Sequence, residues 1–243
     1  MKIKLILLAI LIFSFQDIFS QSKLNSATFG SLYSRLIGSA TMSGRITAID
    51  GVNSEPRIIY VGSAGGGVWK TLNGGAVFNS IFDKYCQSIG ALTIDQSDPD
   101  VIWVGTGESN MRNTVAVGDG IYMSDDGGDN WKKMGLEKSE HISKIVVDPD
   151  NSDIVYVAVP GALWGDSEDR GLYKTNNRGE TWEKILYIDE KTGCADIVMD
   201  PKNPGILYAS MWQFRRKPWT FSSGGESSGL FKSVDGGKNW NRI

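Results

Sequence analysis

Three carboxylates in the polar connecting segments of this chain are its best candidates for acid–base chemistry. Glu108, Asp119 and Asp169 each lie between strand-like apolar runs. Two carboxyl groups placed about 5–9.5 Å apart across a cleft can hydrolyse a glycosidic bond, one as the acid and the other as base or nucleophile. If these side chains converge in one cleft, the sequence predicts glycoside hydrolysis.

The same segments carry aromatic, amide and guanidinium groups that are suited to holding a ligand. Aromatic faces stack on sugar rings or peptide groups, and guanidinium forks pair with carboxylates. The candidate ligand-binding residues are Glu108, Asn110, Arg112, Asn113, Trp164, Arg170, Trp212, Arg215, Arg216 and Trp219. They predict a protein, peptide or glycan partner. The alternative for each residue is structural: the tryptophans cover small loop cores and the charges pair between loops.

Other site chemistries find little support in the sequence. The only histidine, His141, has no Gly-x-Ser-x-Gly turn to partner it, and we expect an ordinary loop residue. The acidic run 148–153 lacks the glycine and glutamate of an EF-hand loop and is better explained as a turn. We therefore predict no metal site and no cofactor.

The balance of charged residues indicates which class of partner the protein can bind, and the N-terminal residues indicate its compartment. The chain has 25 lysine and arginine residues against 28 acidic ones, so it lacks the basic footprint of a nucleic-acid-binding protein. Lys2 and Lys4 precede an apolar run from Leu5 to Phe15, which is typical of a secretory signal peptide and too short to span a membrane. Residues 1–20 are therefore predicted to be a signal peptide, and the mature chain to be secreted, periplasmic or on the cell surface.

An eight-residue pattern, Ser/Thr-x-Asp/Asn-x-Gly-x-x-aromatic, recurs four times at intervals of 51–58 residues; each copy is termed a box. The residues that define the four boxes are Thr71, Asn73, Gly75 and Phe78; Ser124, Asp126, Gly128 and Trp131; Thr175, Asn177, Gly179 and Trp182; and Ser233, Asp235, Gly237 and Trp240. Hydroxyl and Asx side chains can accept hydrogen bonds from nearby backbone N–H groups, and glycine at the fifth position suits a left-handed dihedral. Each box is therefore predicted to be a hairpin turn whose aromatic ring lies between neighbouring sheets.

Each repeat also supplies four strand-sized runs, A to D, that are rich in Val, Ile, Tyr and Trp. An acidic turn joins A to B, and the box joins C to D. Continuous apolar strands without intervening helices indicate sheets buried on both faces. The prediction is an all-β β-propeller of four-stranded antiparallel blades, with four blades and an incomplete ring. The blades are expected at about 44–84, 88–136, 141–188 and 194–243, after an N-terminal segment, 21–43, that could supply a closing strand.

The two cysteines, Cys86 and Cys194, lie in different repeats at unlike positions. A disulfide is possible in an oxidising compartment, but the spacing does not imply one. Two unpaired and mostly buried thiols are expected.

Propeller geometry places the A–B and C–D turns on one rim and the B–C connections on the other. The A–B and box turns are short and uniform, whereas the predicted B–C loops differ greatly in length: 64–66, 106–119, 160–170 and 212–228. Long irregular loops on a rigid scaffold are where binding usually occurs. The candidate site is therefore expected on the B–C rim.

The boxes and several other motifs give the chain a family resemblance. The boxes resemble the Asp boxes, or BNR repeats, of sialidases and sortilin-type receptors. From about Leu36 to Trp240 the chain is similar to large secreted bacterial proteins with sortilin-like repeats, which are often labelled glycosyl hydrolases on repeat content alone. The supporting motifs are Gly44-Arg-Ile46, Trp103-Val-Gly-Thr-Gly-Glu108, Met211-Trp-Gln213 and Arg215-Arg-Lys-Pro-Trp219.

This resemblance implies a sortilin-like binding propeller more than an enzyme. Sialidases carry an N-terminal Arg-Ile-Pro motif that this chain lacks. Propeller xyloglucanases place a catalytic Asp before a Gly-Gly pair, at the position that Ala64 occupies here. We therefore predict a non-catalytic propeller that binds through the B–C rim, with further blades in a longer chain. The alternative is a glycoside hydrolase that uses Glu108, Asp119 or Asp169.

Overall fold

The computed structural model of the chain describes residues 45–243. The predicted signal peptide, residues 1–20, and the segment 21–43 lie outside the described residues. The described part is all-β, and its seventeen strands form four antiparallel sheets. The predicted fold class, a β-propeller with four blades in view, is confirmed.

Blades one and two are four-stranded sheets whose strands pair in chain order. The strands of blade one are β1 Ile46–Gly51, β2 Ile59–Ser63, β3 Gly67–Thr71 and β4 Asn79–Ser80. Those of blade two are β5 Ile89–Ile94, β6 Ile102–Thr106, β7 Ile121–Ser124 and β8 Lys132–Lys133.

Blade three repeats this order, and blade four adds one strand to it. The strands of blade three are β9 Lys144–Asp148, β10 Asn151–Val159, β11 Gly171–Thr175 and β12 Glu183–Leu186. Those of blade four are β13 Thr192–Asp200, β14 Asn203–Lys217, β15 Thr220–Ser223, β16 Gly229–Ser233 and β17 Asn241–Arg242.

The hydrophobic core is divided into three layers, one between each pair of neighbouring blades. Members of the successive layers are Tyr60 and Trp131, Trp103 and Val157, and Tyr156 and Leu207. Each fully buried aliphatic or aromatic side chain contributes about 1.5–3 kcal/mol. Because a middle blade faces a layer on both sides, its strands need apolar residues at successive positions, which explains the continuous apolar runs.

The box turns have the predicted geometry. In blade two, the Ser124 hydroxyl accepts the N–H of Gly128 at 2.8 Å, and the Asp126 carboxylate accepts the N–H of Asn130 at 2.8 Å. The backbone N–H of Asn130 is also the main reason why the pKa of Asp126 is lowered to about 2. The same two backbone contacts recur in the other three boxes. The fifth-position glycines have φ between +86° and +96°, as a left-handed turn requires.

The box aromatics join adjacent sheets. Trp131 is buried, and its indole N–H donates to the carbonyl of Ile81 in blade one at 3.1 Å. Trp182 donates in the same way to the carbonyl of Met134 in blade two, at 2.6 Å. Phe78 belongs to blade one, for which the described residues contain no preceding blade, and it is 39% exposed.

The predicted B–C loop of blade four is largely strand instead. β14 continues to Lys217, turns through Pro218 and Trp219, and pairs with β15, so most of the predicted loop 212–228 is a β-hairpin. The basic run 215–217 lacks the apolar alternation by which a half-buried strand is recognised. This hairpin places a rigid element, rather than an irregular loop, on the B–C rim.

Both cysteines are free thiols, as expected, and burial raises the pKa of each. Within residues 45–243, no helix has the length and apolarity that a membrane crossing requires.

Candidate functional site

The B–C rim brings together residues from all four blades. Arg45 precedes β1, Glu108 follows β6, His141 lies before β9, and the β14–β15 hairpin extends from blade four. These residues occupy three different settings: a buried ion pair, a buried histidine and an exposed hairpin.

Glu108 forms an ion pair with Arg45 of the neighbouring blade. Arg45 Nε donates to Glu108 Oε1 at 2.8 Å, and a second guanidinium nitrogen contacts Oε2. The Glu108 side chain is 1% exposed, and the backbone N–H of Glu108 donates to Ser88 Oγ at 3.0 Å. The hydrogen bond to Glu108 raises the pKa of Arg45. Both carboxylate oxygens are thus occupied, which leaves neither directed at a substrate.

His141 lies in the loop before β9, as predicted, but its setting is not that of an ordinary loop residue. Its side chain is fully buried, and neither imidazole nitrogen has a hydrogen-bond partner among the described residues. Burial lowers the pKa of His141 to about 4; the backbone and the charge of Glu108 act to raise it, and the charge of Arg170 lowers it further. The imidazole is therefore neutral at pH 7 and shielded from solvent, so it cannot act as a surface base.

Asp119 is bonded within its own blade and not to Glu108. Its Oδ2 accepts from the Tyr122 hydroxyl at 2.7 Å and from Lys133 Nζ at 3.1 Å, and its Oδ1 accepts from Thr106 at 3.3 Å. Burial acts to raise the pKa of Asp119, but these hydrogen bonds outweigh it and the pKa is lowered. Glu108 and Asp119 therefore belong to separate networks.

Arg170 is structural, contrary to its prediction as a ligand-binding residue. It is fully buried, and its guanidinium donates to the carbonyls of Pro160, Ala162 and, at 3.2 Å, Gly165. It also lies 4.4 Å from the centre of the Phe214 ring. Burial lowers the pKa of Arg170 to about 10, so it remains charged at neutral pH. Arg170 fixes the blade-three loop against blade four.

Asp169, the third predicted carboxylate, is half-buried at the end of the same loop. Its backbone N–H donates to Ser167 Oγ at 3.2 Å, and its backbone carbonyl accepts the Tyr173 hydroxyl at 3.0 Å. Its carboxylate has no hydrogen bond or ion pair within residues 45–243. Of the three predicted catalytic carboxylates, only Asp169 has both oxygens free of other side chains in that range.

The β14–β15 hairpin presents one aromatic ring to solvent and packs the others beneath it. Trp219, in the turn, is 79% exposed. Trp212 stacks on Phe214 with 4.4 Å between ring centres, and Phe221 packs edge-on against Trp212 at 5.8 Å. The Trp212 indole N–H donates to Ser223 Oγ at 3.1 Å. Trp212 is therefore a core residue of the hairpin, whereas Trp219 is available to a ligand.

Arg215 and Arg216 connect the hairpin to two other blades. Arg215 pairs with Asp166 and donates to the Trp164 carbonyl at 3.3 Å, both in blade three. Arg216 donates to Asn113 Oδ1 in blade two. The guanidiniums that were predicted to grip a ligand therefore hold the rim together.

Three more predicted residues lie at the rim surface. Asn110, Arg112 and Trp164 are exposed, Trp164 to 47%. None of these side chains has a hydrogen bond to another residue in the described range. With Trp219, they form the part of the predicted site that can meet a ligand.

The role of Arg45 was not predicted, because the motif Gly44-Arg-Ile46 does not by itself indicate a partner for the guanidinium. One signal pointed to such a partner: Glu108 ends a run of apolar, glycine and threonine residues that begins at Trp103. A carboxylate that follows a buried strand is costly unless a cation or hydrogen-bond donors meet it. The identity of that cation, 63 residues away, required the fold.

A cavity of about 580 Å³ lies at the opposite rim, among the A–B turns, and its lining includes Asp50, Asp95 and Lys144. Asp50 and Asp95 each accept a hydrogen bond from a neighbouring residue, although Asp95 Oδ2 is buried without a partner among the described residues. Asp50 accepts the N–H of Ile94 at 2.9 Å, and Asp95 accepts from Ser97 at 2.7 Å. In the part of the chain that the structure describes, no three His, Cys, Asp or Glu residues are grouped to hold a metal ion.

Curated proteins similar to this chain are named xyloglucanases. One from Paenibacillus sp is 27% identical over 217 residues, and one from Hypocrea jecorina is 24% identical over 225 residues. The alignments cover 78% and 83% of this chain but only 20% and 25% of the two relatives. The chain therefore spans a quarter or less of the length of these relatives.

Solved structures with the same fold include an ancestral GH74 enzyme and the GH74 enzyme of Niastella koreensis. Their TM-scores are 0.64 and 0.60, at 18% and 19% identity. The superpositions cover 83% and 81% of this chain, and 26% and 29% of the two enzymes. At these identities the likeness establishes the fold alone.

These relatives overturn the expectation of a non-catalytic binding propeller. The curated relatives described above are named xyloglucanases, and their similarity extends over most of the chain. The alternative prediction, a glycoside hydrolase, is therefore better supported than the main one.

A family model identifies the second half of the chain more directly. The model described as "Sortilin, neurotensin receptor 3" matches residues 119–243, slightly more than half of the sequence. This range includes three complete boxes, at 124–131, 175–182 and 233–240, and the blade-four hairpin. The chain belongs to the Sortilin-Vps10 family.

Proposed function

We propose that the protein is an exported glycoside hydrolase that acts on a xyloglucan-type polysaccharide, and that these four blades supply part of its sugar-binding rim. The hydrolase class rests on the similarity to curated xyloglucanases over most of the chain. The observation that carries the binding role is the blade-four hairpin, which presents Trp219 at 79% exposure on a hydrogen-bonded strand pair. An exposed indole on a rigid support suits stacking against a sugar ring.

The charges of the rim favour a neutral glycan over an anionic ligand. Arg45, Arg170, Arg215 and Arg216 all bind protein oxygens, so their guanidinium donors are already occupied. The exposed tryptophans, Asn110 and Arg112 remain to meet a ligand, and among the described residues Arg112 is the one predicted guanidinium without a hydrogen-bond partner. Apolar ring faces and amides match the alternating apolar and hydroxyl surfaces of an uncharged polysaccharide.

Asp169 is the carboxylate that we assign to the reaction. Glu108 is enclosed by Arg45, Asp119 is held by Tyr122 and Lys133, and Ala64 carries no carboxyl group. Glycoside hydrolysis needs a second carboxyl group about 5–9.5 Å from the first. In this proposal the second carboxyl group comes from outside the four described blades, in the remainder of a protein whose length is similar to that of its relatives.

The proposal is tested by measuring hydrolysis of xyloglucan, of unsubstituted β-glucan and of mannan by the full protein. We expect turnover of xyloglucan, and loss of kcat by about 10²-fold or more in Asp169→Asn, because acid–base groups typically contribute 10²–10⁴-fold. Asp150→Asn, an exposed change in the A–B turn of blade three, is the matched control and should leave kcat unaltered.

Two results would count against this proposal in different ways. Absence of turnover on every glycan by the wild-type protein would remove the hydrolase assignment. Normal kcat in Asp169→Asn, with xyloglucan turnover intact, would remove only the role of Asp169.

A further inference from the structure

Blades one and two are joined by a contact that recurs elsewhere in the chain, here termed the Tyr–Lys clamp. Tyr60 on β2 and Lys70 on β3 are cross-strand partners, and Lys70 Nζ lies 5.3 Å from the centre of the Tyr60 ring. The Tyr60 hydroxyl donates to the Gly127 carbonyl at 3.0 Å, and Lys70 Nζ donates to the same oxygen at 2.7 Å. Gly127 is the fourth residue of the blade-two box. One box carbonyl thus accepts two hydrogen bonds from the preceding blade.

Blades three and four are joined by the same clamp. Tyr156 and Lys174 are cross-strand partners, with Lys174 Nζ 5.2 Å from the ring centre. Both donate to the carbonyl of Gly236, at 3.0 and 3.1 Å, and Gly236 is the fourth residue of its box. The clamp is therefore a property of the repeat and not of one interface.

The interface between blades two and three lacks the clamp and also lacks the glycine. Trp103 and Met123 occupy the clamp positions, and the fourth box residue is Arg178, with φ of +54°. Glycine thus accompanies the clamp at both interfaces where the clamp occurs. A Cβ added to Gly127 would lie 3.1 Å from Lys70 Nζ, a tight contact, whereas a Cβ added to Gly236 would lie 3.6 Å from the Tyr156 hydroxyl and 3.8 Å from Lys174 Nζ, which are ordinary contacts. Sterics therefore favour glycine at the fourth box position most clearly in the blade-two box.

Blade four carries a complete clamp on its outer face. Tyr208 and Lys232 are cross-strand partners, and Lys232 Nζ lies 5.3 Å from the centre of the Tyr208 ring, as in the two occupied clamps. Within residues 45–243, neither group has a hydrogen-bond acceptor. Beside them Val198 is 56% and Leu230 44% exposed, whereas Leu172, the blade-three counterpart of Leu230, is fully buried.

We propose that this outer face, defined by Val198, Tyr208, Leu230 and Lys232, docks a further blade of the same polypeptide whose box has glycine at its fourth position. Two occupied interfaces with the same clamp geometry support this assignment. The length of the relatives, of which the alignments span 20% and 25%, makes the same polypeptide the source.

The test appends a fifth blade to the full chain. One extended chain carries a copy of residues 82–136, which include the blade-two box, directly after Ile243. Its matched control carries Gly127→Arg in the appended copy, the residue type of the blade-three box. Reductive methylation and mass spectrometry then measure the labelling rate of Lys232, with Lys70 and Lys174 as clamped internal references.

We expect the glycine extension to lower the labelling rate of Lys232 by about tenfold, because the hydrogen bond from Lys232 to the box carbonyl must open before the amine reacts. The arginine control should leave the rate near that of the unextended chain. An unchanged rate in the glycine extension would overturn the proposal, and equal protection in both extensions would overturn the preference for glycine at the fourth box position.

The unextended chain supplies an independent check that does not depend on folding of the appended blade. Tyr60→Phe should lower the urea midpoint, whereas Tyr208→Phe should not. Equal losses would show that Tyr208 is already bonded, and would overturn the assignment. Slow labelling of Lys232 in the unextended chain would also overturn the assignment. If that protection increased with protein concentration, it would identify a second copy of the chain as the occupant of this face.

Discussion

Arg45 and Glu108 form an ion pair but are buried to different extents. We therefore expect substitutions of the two residues to lower the free energy of unfolding by different amounts. Glu108 is 1% exposed, whereas the Arg45 side chain is 30% exposed and can be partly hydrated. Arg45→Met would leave a buried carboxylate without a counter-charge, at a cost of about 3–5 kcal/mol. Glu108→Gln keeps an acceptor for Arg45, and we expect a cost of about 1–2 kcal/mol. Urea unfolding at pH 7 measures both. Equal losses, or the reverse order, would show that the pair is not the buried contact described above.

His141 gives the protein a specific dependence of stability on pH. Its pKa lies at about 4 in the folded chain, below the ordinary value of 6.5. Between these values the unfolded chain binds a proton that the folded chain does not, so the free energy of unfolding rises with pH across this window. The contribution is complete above pH 6.5 and is lost as the pH falls to 4, a change of about 3 kcal/mol.

The His141→Phe variant isolates this effect, because phenylalanine fills a similar volume and the imidazole nitrogens have no partners to lose among the described residues. We predict that wild type loses about 3 kcal/mol more than His141→Phe between pH 7 and pH 4. Urea unfolding at both pH values measures this difference, and the carboxylate titrations that both proteins share cancel. A parallel pH dependence of the two proteins would contradict the buried, neutral state of His141.

At the scale of the element, the first hydroxyl of each box determines whether the turn closes. The Ser124 side chain is buried, accepts the N–H of Gly128 at 2.8 Å and donates to Asp126 at 2.8 Å. Ser124→Ala leaves the Gly128 N–H without its partner in a buried position, which costs about 1–3 kcal/mol. Ser124→Thr should restore most of this loss, because Thr175 fills the same role in blade three. Thermal unfolding of the two variants is the measurement; equal destabilisation would mean that volume and not the hydroxyl matters.

The boxes also explain how much of the fold could be predicted. Four turns with a residue-specific hydrogen-bond pattern fix the repeat, and the apolar runs between them fix the strand order, so the blades followed from residue types alone. The β14–β15 hairpin did not follow. Its strands include Arg215 and Arg216, whose guanidinium groups bind Asp166 and Asn113 in other blades. Contacts between distant repeats decide the structure there.

The candidate site was less predictable than the fold for the same reason. Exposure distinguishes Trp219 from Trp212, although both were equally good ligand candidates in the sequence. Arg170 and Glu108 are charged residues in polar segments, yet both are buried because each meets partners that the local sequence does not reveal. The residue types predicted the chemical groups of the site, but only the packing of the blades determines which of these groups are exposed to a ligand.

At the scale of the whole molecule, the B–C rim behaves as one platform and not as four separate loops. Arg45 links blades one and two, Arg216 links blades four and two, and Arg215 links blades four and three. Since each link crosses a blade boundary, the orientation of the hairpin depends on the neighbouring blades as well as on its own turn. A polysaccharide that contacts Trp219 would therefore meet a preorganised surface, which lowers the entropic cost of binding.

Trp219→Ala tests whether that surface binds glycan. Trp219 is 79% exposed and packs on little of the protein, so we expect its removal to leave the free energy of unfolding unchanged within about 0.5 kcal/mol. Loss of one stacking contact of about 1.4 kcal/mol would weaken the affinity for xyloglucan oligosaccharides about tenfold, as measured by calorimetry. Trp212→Ala is the matched comparison, because Trp212 packs on Phe214 and Phe221 and its loss should lower stability as well as affinity. Unchanged affinity in Trp219→Ala, with stability intact, would exclude the hairpin tip from the sugar-binding surface even if the protein hydrolyses xyloglucan.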